Sequence, residues 1–396
     1  MIQDQYRILG VDASKESVKA AFKYLNGNDF LGAFINIIKS LQFPGWVKTQ
    51  HSDGDGSKII LRLLMYFLTG NRLWLYGFVD DAWSMNLGDV AAGGFVEGEF
   101  LVTDTINLNA FNAPKDVLLA VIGERILELL ILYGQYGFDN MTNNIRILGG
   151  ETADLPRQVQ TAVFDITVSG CMREAGVIKG DVRPGDRIWG FGSDGQAVWE
   201  KGPNSGIMSN GLTMGVTTLI SPDYVAQFPN LLLAGAMFEG RYYVNDCPDI
   251  LGGMTVVEAL LSPTRQWAIV IKILIDKLKA AGALHLLHGI SMNTGGGATK
   301  IKNVGTGGIR YCKRMPLPSP IFRLIQAESK EIWENIFRNF NCGVGLDIIG
   351  ETGLAPYLVE VAHETGVRLY DLGLCQEGDP GKNSVALETP YGTFPY

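Results

Sequence analysis

Four strings in this sequence have the composition of a phosphate and metal site. The first is Ser52-Asp53-Gly54-Asp55-Gly56-Ser57-Lys58. Glycines let a backbone approach a polyphosphate, carboxylates hold Mg2+, and a lysine offsets phosphate charge during transfer. The string is not a P-loop, which needs G-x-x-x-x-G-K-[ST], and the same residues also suit a solvated turn. The second is the pair Asp81 and Asp89, with Asp80 beside it. On a helix over 80–92 the pair stands about two turns, or roughly 12 Å, apart. They share one ion only if the helix breaks or a cluster spans them; otherwise they are dipole partners and caps. The third, Gly149-Gly150-Glu151-Thr152-Ala153-Asp154-Leu155-Pro156, presents Glu151 to Mg2+ or a substrate amine, or is an ordinary loop. The fourth, Asn293-Thr294-Gly295-Gly296-Gly297-Ala298-Thr299-Lys300, offers successive backbone donors and a lysine, which suits a phosphate monoester. Of the histidines at 51, 285, 288 and 363, none has a partner at metal-ligand spacing, and only His51 adjoins one of these strings. No nucleophile elbow occurs.

The elements that would position these strings follow from periodicity. A helix is expected over 14–41 after Ser14, with Val18, Ala21, Phe22 and Leu25 at helical spacing. Residues 59–68 read as strand or helix, 80–92 as a helix closed by Gly93 and Gly94, 97–108 as a strand and 115–136 as a helix. Residues 161–172 alternate and are β-branched, as a half-buried strand requires. The turn-rich K-G-D-V-R-P-G-D-R that follows marks a boundary near 172–176. Beyond it come a strand at 187–191, helices at 255–281 and 326–339, and a strand at 343–349. A chain of 396 residues exceeds one ordinary core, so two domains are expected, 1–172 and 173–396.

A net charge of −8 and a pI near 5.2 argue against a nucleic-acid or anionic-membrane partner, both of which need a basic face. Five widely spaced cysteines with no C-x-x-C pair suggest neither a disulfide framework nor zinc, which fits a reducing cytoplasm. Asp4 and Arg7 interrupt the N-terminus where a signal peptide would be apolar, and charges interrupt 117–134 and 267–275 where a membrane span would not be.

Together the strings resemble the aminoimidazole ribonucleotide synthetase (phosphoribosylformylglycinamidine cyclo-ligase) family. The family loop T-D-G-V-G-T-K is matched at Asp53, Gly54, Gly56 and Lys58. Its next signature is matched at Asp81, Met85, Asp89 and Gly94, with Gly88 in place of asparagine, and Phe95 and Glu97 in place of alanine and proline. G-G-E-T-A-E-M-P is similar to 149–156, and Y-R-T-F-N-x-G-V-G to 337–345. L-S-P-T-R at 261–265 and Ser209-Asn210-Gly211 add two more matches. Met208 and Met292 stand where the family has histidines before S-N-G and T-G-G-G, a glycine-rich segment before the aspartate loop is missing, and 222–252 is extra.

The resemblance implies an α/β (α+β) two-domain synthetase fold, with an N-terminal domain pairing strands across a homodimer barrel and ATP with Mg2+ between the domains. It implies Asp53, Asp81, Asp89 and Glu151 as metal ligands, with Lys58 and Asp89 catalytic. Asp53, Gly54, Gly56, Ser57 and Lys58 would hold ATP. Ser209, Asn210, Thr294, Gly295, Gly296 and Gly297 would face a ribonucleotide substrate. The implied reaction is ATP-dependent closure of formylglycinamidine ribonucleotide. Two alternatives stand beside it: a sister phosphoryl-transfer enzyme such as thiamine-phosphate kinase, selenophosphate synthetase or a hydrogenase maturation factor, and a nucleotide-binding homologue without turnover. No cysteine precedes Cys171, which disfavours the selenium enzyme, and Met208 and Met292 motivate the non-catalytic reading.

Overall fold

Strands β3 (Gly98–Leu108) and β5 (Ala162–Arg173) alternate inward and outward side chains, and this period-2 pattern pairs them antiparallel along their length. They are the inner part of a five-stranded sheet in the computed structural model, which describes residues 5–11, 21–22, 27–138, 143–209, 211–232 and 238–396. With β1 (Ile38–Lys39), β2 (Trp46–Gly54) and β4 (Asn143–Asp154), the order is β1-β2-β5-β3-β4. Only β3 and β4 run parallel in it. A second sheet uses β6 (Arg187–Gly192), β9 (Leu287–Met292), β10 (Ile309–Arg314), β11 (Val344–Gly350), β12 (Leu369–Glu377), β13 (Ser384–Thr389) and β14 (Gly392–Pro395). Its order is β14-β13-β10-β12-β6-β11-β9, and a short ribbon pairs β7 (Asp194–Gly195) with β8 (Asn204–Ser205). The chain is mixed α/β, as the resemblance implies.

Four helices position the site: α1 (Lys58–Thr69), α2 (Tyr76–Ala92), α3 (Lys115–Gln135) and α4 (Trp267–Ala280). Apolar residues lie on every side of α2 rather than on one stripe, as in a helix packed all round, and every residue from Gly77 to Ala92 is buried. It lies on β2 and β5 and packs against α4 and β9. The Trp83 ring meets Tyr133 of α3 edge-on at 6.0 Å, and the Tyr133 hydroxyl donates to Gln266 Oε1 at 2.9 Å. Both sheets therefore share one core through α2.

Several expectations change in the structure. The helix expected over 14–41 falls partly outside the described residues; 21–22 are helical, and 27–41 holds turns and β1 instead. There Asn28 Oδ1 accepts from the backbone N–H of Phe30 and Ile37, a local bond that competes with helix. The ambiguous 59–68 run is helical, closed by Gly70 at φ 68°. The helix expected at 255–281 breaks into Val256–Leu261 and α4, with Pro263 between them. That at 326–339 divides into Pro320–Ser329 and Trp333–Asn339, separated by Lys330 at φ 56°. The G-G-E-T-A-D string, for which an ordinary loop was one of two readings, forms the second half of β4.

Candidate functional site

Lys58 and Arg62 stand one turn apart on α1, and both reach Asp81 of α2. Lys58 Nζ donates to Asp81 Oδ1 at 3.1 Å and to the Ser262 carbonyl at 2.6 Å, while Arg62 Nη2 donates to Asp81 Oδ2 at 2.8 Å. The Thr264 N–H and hydroxyl each donate to Asp81 Oδ1 at 2.7 Å. Four donors thus occupy the carboxylate that was expected to bind metal. Burial alone would raise the Asp81 carboxyl, but Lys58, Arg62 and Thr264 hold it below its ordinary value. Burial outweighs Asp81 at the lysine and brings Lys58 down to about 8. Its ammonium is wholly enclosed, so the expectation that Lys58 faces a phosphate is replaced by a closed ion network. Sequence reading missed Arg62; two cations at i and i+4 on an apolar helix are the signal that a buried acid must lie opposite.

The other end of α2 opens onto the glycine-rich loop. His51 of β2 lies 3.3 Å from Asp89 Oδ2 through Nε2 and 3.0 Å from Asn86 Oδ1 through Nδ1. Burial disfavours the imidazolium, yet Asp89, Asp53 and Asn86 together raise the His51 pKa. Lys300 Nζ lies 3.7 Å from Asp89 Oδ2, bonds Thr294 Oγ1 and sits over the Phe34 ring. Asn86 Nδ2 donates to the Asp53 carbonyl at 2.9 Å, which ties the aspartate loop to the same helix. Asp53, His51, Asp89, Thr294 and Lys300 are thereby brought together. Lys300 belonged to the string read as a phosphate loop, but the sequence did not show that it meets Asp89.

The glycine-rich loop offers fewer donors than its sequence suggested. The N–H groups of Gly297, Ala298 and Thr299 are committed to the carbonyls of Thr294, Phe340 and Gly296. Gly297 has φ 54°, and a Cβ there would stand 2.5 Å from the Phe340 carbonyl oxygen, so the turn requires glycine. Gly295 and Gly296 form the part-exposed tip. Of the other expected site residues, Ser209 has its hydroxyl 3.5 Å from that of Thr264, and Ser57 has its hydroxyl 3.0 Å from that of Thr213. Asn210 lies outside the described residues.

Glu151 is not brought to this cluster within the chain. Register runs from Asp53 through Ile166 and Asp104 to Gly150, three strand spacings or about 14 Å, and Glu151 is exposed on the sheet edge. The four acids that the resemblance implies as metal ligands therefore do not all converge within the chain. Among the described residues no group of three or more His, Cys, Asp or Glu side chains could hold a metal ion. His288 is engaged elsewhere, with Nδ1 2.7 Å from Asp186.

Two departures from the family pattern touch one another. A Cβ added at Gly88 would stand 2.3 Å from Met292 Sδ, so the thioether fills the space that an asparagine at 88 would need. Met292 is fully buried and Met208 nearly so. Overpacking such a site costs about 1–3 kcal/mol. Gly88→Ala should lose that much in urea unfolding, and Met292→Ala in the same chain should recover part of it. Strict additivity of the two changes would contradict the contact.

Asp55 occupies the position where the family loop has valine. It is buried, Oδ2 has no partner among the described residues, and burial with the Asp81 charge pushes its carboxyl well above the ordinary 3.8. A raised folded value means that the stability it confers is complete below 3.8 and is lost as pH climbs toward that raised value. Asp55→Asn should match the parent's melting temperature in acid and exceed it increasingly as pH rises. A gap independent of pH would contradict this.

With the geometry in hand, similarity to known proteins becomes informative. No protein-family model matches the chain. It is 28% identical over 252 residues to a phosphoribosylformylglycinamidine cyclo-ligase of Methanococcus vannielii, an alignment covering 62% of each chain and so under two thirds of that relative's length. It is 27% identical over 342 residues to the Methanosarcina acetivorans protein of the same name, covering 84% of each. The structure of T. maritima PurL complexed with ADP superimposes with a TM-score of 0.51 at 11% identity, covering 99% of this chain and 50% of that one. Fold and similarity define a mixed α/β protein that shares the fold of the PurL chain. More particularly, it is similar to curated phosphoribosylformylglycinamidine cyclo-ligases at 27–28% identity.

Proposed function

We propose that the protein closes the ring of formylglycinamidine ribonucleotide to aminoimidazole ribonucleotide at the expense of ATP, forming a C–N bond in purine biosynthesis. The observation that carries this reading is the meeting of Asp89 with Lys300 and Thr294, which joins the acidic helix and the glycine-rich loop at one cleft. Asp53 and Asp89 would hold Mg2+; two carboxylates suit an ion that keeps its other positions for phosphate oxygens and water. When bound, the ion neutralises charge on the transferred phosphoryl group. Lys300 and the Gly295–Gly296 tip face the phosphate, and Ser209 and Thr294 face the ribonucleotide. Asp81 and Lys58 act one layer below, fixing the aspartate loop against α2. The formyl oxygen takes the γ-phosphoryl, the ring nitrogen attacks the activated carbon, and phosphate departs. Such transfer needs positioning and charge neutralisation rather than a protein nucleophile.

A homodimer paired through β4 is part of the reading. That strand is a sheet edge with Ile147 and Leu148 exposed beside an apolar groove against α3, and such edges invite pairing. The role of Glu151 depends on that pairing. A division at 172/173 and a cytoplasmic location complete the proposal, the latter supported by five free thiols. No helix among the described residues is long and apolar enough to cross a membrane.

The buried methionines at 208 and 292 favour a second reading, in which the protein binds nucleotide without this turnover or serves a sister phosphoryl-transfer reaction. Phosphate release from ATP and Mg2+ decides between them. Release dependent on formylglycinamidine ribonucleotide supports the cyclo-ligase; ATP binding without such release supports the second reading.

A further inference from the structure

A cavity of about 590 Å³ lies apart from the Asp89 cleft, and no residue of 51–58 or 293–300 lines it. Its volume falls in the range of small-molecule sites, and its walls come from two distant parts of the chain. Arg62, Trp74, Tyr76 and Arg125 line it from the first part, and Trp199 and Arg265 from the second. We propose that this cavity is a second ligand site, which takes a small organic anion bearing a flat apolar group.

The chemistry of the lining sets that class. Two residues of the lining, Arg62 and Trp199, each carry a buried side-chain N–H, Nε and Nε1, with no hydrogen-bond partner among the described residues. No lining residue has an unpartnered buried acceptor among the described residues. Spare donors thus outnumber spare acceptors in the lining residues, and a ligand bearing acceptors matches that balance. Three arginines and Lys201 line the cavity against three carboxylates, so the balance is positive. Those carboxylates already serve lining arginines: Asp80 lies 2.7 Å from Arg125, Glu200 lies 2.9 Å from Arg265, and Glu128 also pairs with Arg125. A negative ligand thus meets donors with no competing free acid. The three aromatic rings supply flat apolar contact for the rest of it.

The inference is independent of the reaction at the Asp89 cleft, and so is its test. Gly202 lines the cavity, and a Cβ there meets nothing within 4 Å, so Gly202→Trp fills the space without straining the backbone. Calorimetric titration of the full chain with phenyl phosphate should show one site that Gly202→Trp abolishes at an unchanged melting temperature and that Lys300→Ala leaves intact. Trp199→Phe, which keeps a ring but loses the N–H, should weaken it about five-fold. Inorganic phosphate should bind at least about ten-fold more weakly, because it lacks the apolar group. No binding to the parent chain, binding that survives Gly202→Trp, or phosphate binding as tight as phenyl phosphate would each overturn the proposal.

Discussion

Asp81→Asn should destabilise the folded chain by about 3–5 kcal/mol, because it leaves the Lys58 ammonium and the Arg62 guanidinium buried without their shared counter-charge. The alternative, in which Asp81 serves chiefly as a magnesium ligand, makes a different forecast. The variant would then be as stable as the parent in EDTA and would differ only when the ion is added. Urea unfolding with and without Mg2+ separates the two. Removing the lysine as well, in Asp81→Asn with Lys58→Met, should recover part of the loss, since the two changes touch one network and cannot add independently. A loss below about 1 kcal/mol in EDTA would return Asp81 to the list of metal ligands.

The network also shows what the sequence could convey. Asp53, Asp81, Asp89 and Lys58 stood out because acids, glycines and a lysine clustered at short spacing, and spacing along a chain is what a sequence displays. Which way each side chain turns is decided by contacts far away in sequence. Asp81 is claimed by Thr264, 183 positions later, and Asp89 by Lys300. The same holds for Gly88 and Met292, two unrelated departures from a pattern until the fold packs one against the other. Long elements were legible where one periodicity ruled them, as in α3 and β5. They failed where a local feature broke the period: Pro263 ended one expected helix and Lys330 at positive φ divided another, while the glycines of 149–150 gave no sign of the strand that runs through them.

If Lys300 is the cation of the phosphate cleft, Lys300→Ala should reduce substrate-dependent phosphate release by about 10²–10³, the usual effect of removing one preorganised charge stabiliser. Asp89→Asn should have an effect of the same order, because the carboxylate both faces Lys300 and belongs to the proposed ion site. The double variant should be little worse than either single one, since residues acting as a unit are grossly non-additive. Stability separates this from a structural effect. Asp89 and Lys300 meet at 3.7 Å, and Lys300 is 17% exposed, whereas Lys58 and Asp81 are fully enclosed at 3.1 Å, so both single variants should melt closer to the parent than Lys58→Met does. Lys58→Met is the counter-test. It should lower stability first and turnover only as folding fails, so its surviving folded fraction should keep most of its specific activity. Should Lys300→Ala instead release phosphate at the parent's rate while well-folded Lys58→Met releases none, the transferring phosphate is faced by Lys58, and α1 must then shift to free that lysine from Asp81 during the reaction.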